Sequence, residues 1–165
     1  NNLSKEFRTE LDARDNYTPG YKFNYWEMKG VPVRLEIGPR DIENNQCVLV
    51  RRDTLEKETV SLENVNKRIA ELLEEIQKNM FKMAEENTKK KTTVAKTLEE
   101  FEKNINENQG YVKTMWCGSS ECEEKIHELT GAKSRCIPFN QEHISDTCVC
   151  CGKPASKMVV WGRQY

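Results

Sequence analysis

The spacing of apolar residues changes several times along the chain. Val33, Leu35 and Ile37 alternate with Arg34 and Glu36, the period of a half-buried strand, which sends Arg34 and Glu36 together to the opposite face. Upstream, Asp15 or Thr18 can cap a helix entered through Pro19, and Gly30 can close it in the left-handed conformation. Val31-Pro32 demands extended backbone, and Gly38-Pro39 turns the chain beside Arg40 and Asp41. Leu11 and Ala13 alternate with Glu10 and Asp12, which predicts a short strand. Residues 1–7 read as the end of a helix, and with no initiator methionine the chain reads as a fragment. Cys47-Val48-Leu49-Val50 follows the turn pair Asn44-Asn45 and predicts a buried strand with Cys47 in the core.

From Ser61, a fair N-cap, the period becomes helical: Leu62, Val65, Ile69, Leu72, Leu73, Ile76, Met80, Met83 and Ala84 recur three or four apart. This predicts a long amphipathic helix whose first half covers a sheet, with Lys89-Lys90-Lys91 as its solvated end. A dimerising coiled coil is the rival, over few heptads. A second helix carries Val94, Leu98, Phe101 and Ile105 on one stripe, ended by the turn residues at 104–110. Residues 111–116 then predict a strand, 121–129 a helix, 136–139 a second strand and 157–162 a third.

Composition narrows the reading. With 165 residues, 36% hydrophobic and 32% charged, the chain suits small modules rather than one large core. We expect a partial N-terminal module over residues 1–85 and a second over 86–165. The formal net charge of −1 supplies no global attraction for nucleic acid, so RNA binding must come from a local patch. No apolar run approaches the ~20 residues that cross a bilayer, and the expectation is a soluble, intracellular protein.

Six of the seven cysteines lie between Cys117 and Cys151. Cys117 and Cys122 form C-x4-C and Cys148 and Cys151 form C-x2-C, two close pairs that can bring four thiolates to the corners of a tetrahedron around structural zinc. Cys150 can replace Cys148 or Cys151 and Cys136 reads as a core residue; His127 and His143 could serve as alternative ligands but read first as a helix-surface and a loop residue. An odd count without a sign of secretion argues against a disulfide scaffold. Cysteine nucleophilic catalysis has no third orienting group.

Lys22, Trp26, Glu27, Lys29, Arg34, Glu36, Arg40 and Asp41 converge on the helix-to-strand junction. Arginine and carboxylate partners together suit guanine, and an aromatic ring can stack an unpaired base. Trp26 is placed under the helix. Each charge taken singly also fits a surface salt-bridge network. Arg51 and Arg52 fit either salt bridges or RNA phosphate.

Over Arg14-Asp15, Thr18-Pro19-Gly20, Lys22-Phe23-Asn24, Trp26-Glu27, Lys29 to Pro32, Arg34 to Asp41 and Val50 to Asp53, the chain resembles the anticodon-binding domain of prolyl-tRNA synthetases of the archaeal and eukaryotic type. The C-x4-C pair, Gly131 to Phe139, Cys148 to Ala155 and the terminal Tyr165 are similar to the zinc-binding domain appended to those enzymes. The resemblance implies an α/β anticodon-binding domain, a mixed sheet with flanking helices truncated at its N-terminus, followed by a small α+β zinc-binding domain. An additional strand and helix, and a catalytic domain, precede this point in the family. It implies recognition of the two guanines of proline anticodons by Glu27, Arg34, Arg40 and Asp41, with Lys22 and Lys29 in support, and Zn2+ on Cys117, Cys122, Cys148 and Cys151. Residues 161–165 become an ordered tail whose terminal carboxylate turns toward the catalytic domain. The implied parent is a cytoplasmic, homodimeric class II synthetase that charges proline tRNA using ATP and Mg2+ through residues outside this chain. Two other readings remain in play, a zinc-stabilised protein-interaction module without RNA specificity and a cysteine-dependent enzyme.

Overall fold

The computed structural model describes residues 3–164, and the chain divides into two compact units, Asn1–Met83 and Ala84–Tyr165. In the first unit a 3-10 turn, Leu3–Lys5, precedes α1 (Pro19–Met28), β1 (Val33–Glu36), α2 (Pro39–Glu43), β2 (Gln46–Arg51), β3 (Lys57–Ser61) and the start of α3 (Val65–Lys90). The strands lie in the order β1-β2-β3, antiparallel throughout, where the sequence reading expects a mixed sheet. Leu35 faces Leu49 and Cys47 faces Val60 across the ladder.

On α3, Val65, Ile69 and Leu72 recur at helical spacing and pack with Cys47 and Leu49 into one core, edged by Leu3, Phe7, Val33, Leu35 and Val60. Leu72 is wholly buried, and a side chain of that size contributes about 2–3 kcal/mol on leaving water. Burial also pushes the Cys47 thiol above its ordinary pKa, so this cysteine behaves as a small apolar residue. Past Ile76 the stripe emerges into solvent, and Met80 and Met83 are exposed.

Several boundaries differ from expectation. Residues 10–13 form no strand, because Asp12 turns inward to pair with Arg14 and Trp26. The helix begins at Val65 rather than at Ser61, which ends β3 and accepts a hydrogen bond from the Glu63 N–H. Ile37 lies beyond β1 and is exposed.

The second unit contains β4 (Thr92–Val94), α4 (Leu98–Asn108), β5 (Tyr111–Trp116), α5 (Ser120–Thr130), β6 (Ala132–Cys136) and β7 (Lys157–Arg163). Their sheet order is β4-β5-β7-β6, with β4 parallel to β5 and the other pairs antiparallel. Gly110 makes the parallel pair possible: a Cβ there would sit 2.0 Å from the Lys91 carbonyl oxygen, which accepts the Tyr111 N–H at 2.9 Å. Val94, expected on the α4 stripe, belongs to β4 and is exposed.

Pro138 has no N–H for a ladder, so the strand expected at 136–139 ends at Cys136 and leaves Ile137 and Phe139 in solvent. Cys136 itself is exposed, not a core residue; a register irregularity between Ser134 and Cys136 interrupts the strand there. At the C-terminus, residues 161–163 complete β7, whereas the expected role of the Tyr165 carboxylate lies outside the described residues.

Trp161 is fully buried among Phe101, Ile105, Val112, Ile126 and Val159, edge-on to Phe101 and Trp116. Its indole N–H donates to the buried Thr114 hydroxyl at 3.0 Å. Thr114→Val preserves shape and orphans that N–H, so it should cost about 1–3 kcal/mol, measured by urea unfolding followed through tryptophan fluorescence.

Candidate functional site

A helix end and a strand start meet at the first site because Gly30 reverses the chain between them. Thr18 caps α1 by accepting the Tyr21 N–H, Pro19 occupies the first turn, and Gly30 (φ +83°) takes the left-handed conformation behind the Lys29 cap. Glu27 in the last turn of α1 thereby faces Arg34 on β1, and one guanidinium NH2 group bonds the Glu27 carboxylate. Arg34 Nε donates to Glu36 Oε1 at 2.9 Å, and its guanidinium lies 4.0 Å from the centre of the Phe23 ring. Glu36 is in turn 3.6 Å from Lys57. The Arg34 side chain is only 18% exposed, so its charge is held by paired carboxylates and an aromatic face rather than by water.

A shallow cleft opens here, lined by Glu27, Val31, Arg34, Val50, Arg51 and Arg52. Arg51 is committed to the fold: it grips Asp53 at 3.0 and 2.8 Å and reaches Glu75 on α3 at 3.0 Å. The Asp53 carboxylate, 5% exposed, also accepts from Asn79 at 2.8 Å. The Arg51 guanidinium holds its pKa down at about 2. Arg52 has no side-chain partner among the described residues.

The remaining candidates divide. Asp41 turns back to accept the Gly38 N–H at 2.9 Å and caps α2, while Arg40 beside it is exposed. Lys22 donates to the Asp12 carbonyl at 3.4 Å, and the Lys29 ammonium lies 5.6 Å from the Tyr25 ring. Both belong with a second network in which Asp12 accepts from Arg14 at 2.8 and 2.6 Å and from the Trp26 indole at 2.9 Å. Arg14 holds the Asp12 carboxyl well below the usual range. The structure thus joins Glu27 and Arg34 directly. Phe23, not among the expected site residues, stands four before Glu27 on α1, a spacing that puts the two on one helix face.

The second site gathers the cysteines. Cys117 follows β5, Gly118 (φ +90°) turns the chain, and α5 starts so that Cys122 lies in its first turn. Cys148 and Cys151 sit on a tight turn in which the Cys148 N–H donates to Lys153 and the Gly152 N–H to Cys148. The four Sγ atoms all lie within 4.8 Å of one another, with Cys117 3.7 Å from Cys122 and 3.8 Å from Cys151. A tetrahedron of about 2.3 Å metal–sulfur bonds has edges of about 3.8 Å, so these four thiols can hold a metal ion. Burial pushes the Cys122 thiol up, and the Lys153 N–H holds Cys151 down at about 7. Cys150 stands outside the set and packs against the core, Cys136 is on β6, and His127 and His143 are exposed. His143 lies 3.2 Å from Asp146.

Residues 1–72 match the family described as an anticodon binding domain, and residues 98–165 match prolyl-tRNA synthetase, C-terminal. The proline–tRNA ligase of Ruminiclostridium cellulolyticum is 53% identical over 163 residues, 99% of this chain and 34% of that protein. Proline–tRNA ligase 2 of Bacillus cereus is 52% identical over 163 residues, with the same shares of each chain. The chain spans about a third of the length of these curated relatives.

The Asp53 carboxylate ionises more readily folded than unfolded, where its value is near 3.8. The stability it contributes is full above that value and lost as pH falls toward about 2. Asp53→Asn should therefore cost about 1–2 kcal/mol at pH 7 and show a shallower loss between pH ~4 and ~2, measured by urea unfolding across that range.

Proposed function

We propose that this chain, an anticodon-binding domain of prolyl-tRNA synthetase followed by that enzyme's C-terminal domain, reads the two guanines of proline anticodons at the α1–β1 junction. The observation that carries this is the Glu27–Arg34 pair. An unpaired guanine presents acceptors and an amino donor, so a carboxylate and a guanidinium held side by side offer the complementary groups. The Phe23 ring and Glu36 fix the guanidinium plane, which lowers the ordering cost when RNA arrives. Arg40 supplies a second cation from α2, Asp41 holds that helix turn in place, and Lys22 and Lys29 flank the junction.

The four thiols Cys117, Cys122, Cys148 and Cys151 hold structural zinc in this proposal, because an all-thiolate tetrahedral set suits that ion. The motif residues support the archaeal and eukaryotic type of the enzyme, although the matched relatives come from bacteria. The parent protein is proposed to be a class II ligase that uses ATP and Mg2+ to charge proline tRNA, a cytoplasmic homodimer whose catalytic domain partners this region. Among the described residues no helix is long and apolar enough to cross a membrane.

Titration with a proline anticodon stem-loop, and with loops in which each guanine is replaced, tests the reading. The natural loop should bind best, and Arg34→Ala should cost about 1–3 kcal/mol and flatten the preference. Equal binding to every loop would favour a protein-interaction scaffold instead. For the metal, one zinc per chain should be released by a chelating dye. Cys122→Ser should bind none and lower the melting temperature of the C-terminal unit, followed by fluorescence and metal analysis.

A further inference from the structure

Adjacent arginines at the end of β2 have opposite fates. Arg51 is spent on Asp53 and Glu75, whereas Arg52 lines the cleft beside Glu27 and Arg34 with no partner among the described residues. Its root is firmly placed: the Arg52 N–H donates to the Pro32 carbonyl at 3.0 Å, and the Leu55 N–H closes the turn onto Arg51 at 2.9 Å. A free, exposed side chain on a fixed backbone is suited to meeting an incoming charge.

The balance of charge in the cleft says which charge. Glu27 and Glu36 neutralise Arg34, and Asp53 and Glu75 neutralise Arg51. Of the three arginines lining the cleft, Arg52 alone carries uncompensated charge. A loop of single-stranded RNA brings one phosphate per nucleotide, and the pull on that backbone must come from such a cation.

We propose that Arg52 binds a backbone phosphate of the RNA loop whose bases meet Glu27 and Arg34, an inference that rests on the anticodon reading above. The contact sets affinity and register and carries no base preference. Arg34 selects, and Arg52 holds.

Binding of the protein to the same stem-loops, measured from 50 to 200 mM salt, separates these roles. Arg52→Gln should weaken binding about 3–10-fold at low salt, equally for the natural and guanine-replaced loops. It should also lower the slope of log affinity against log salt by about 0.7–1. Arg52→Lys should recover most of the slope, and the melting temperature of both variants should match that of the unsubstituted protein. An unchanged affinity and slope in Arg52→Gln would overturn the proposal, as would a loss confined to the guanine-containing loop. Failure of the anticodon reading looks different, since the unsubstituted protein would then show no preference among the loops.

Discussion

A guanidinium largely withdrawn from water needs compensation on every side, and at the α1–β1 junction that need organises the first unit. Arg34 draws in Glu27 from the helix, Glu36 from its own strand and the Phe23 ring beneath it. Removing both carboxylates would leave a poorly solvated cation, so helix end and strand start are tied by electrostatics as well as by the Gly30 reversal. The same ties leave polar edges of both signs pointing at one cleft.

The second unit is organised differently. Its core closes around Trp161 with none of the four clustered thiols among its members, and the Cys148–Cys151 turn is fastened to β5 through the Val149 N–H and the Met115 carbonyl at 3.0 Å. The thiols are thus brought together by backbone that already has hydrogen-bond partners. A metal there would hold the end of β5 and the Cys148–Cys151 turn to the start of α5.

Much of this was legible in the chain itself. The period-two run at Val33 and Leu35, the Pro19 entry and Gly30 exit of α1, and the three-four spacing through Ile76 place real elements, because each signal is local. The C-x4-C and C-x2-C spacings identify the four cysteines that cluster. What stayed hidden depends on partners distant in sequence. Nothing beside Arg51 announces Glu75, 24 positions away, and so the two adjacent arginines look alike until α3 is in place. Short strands fare worst: β4 spans only Thr92–Val94 and exists through its pairing with β5, which no local pattern encodes. Asp12 reads as one step of an alternation, yet its carboxylate is claimed by Arg14 and the Trp26 indole.

The approach of Lys91 to Gly110 has a genetic corollary. With a Cβ placed 2.0 Å from a carbonyl oxygen, alanine is already too large, and the obstacle is backbone that cannot rotate away. Every missense change in that codon, whatever the chemistry of the new residue, must pry β4 from β5. A saturation library of this chain should therefore show an almost empty column at Gly110, while Gly20, with open space around it, accepts substitution freely.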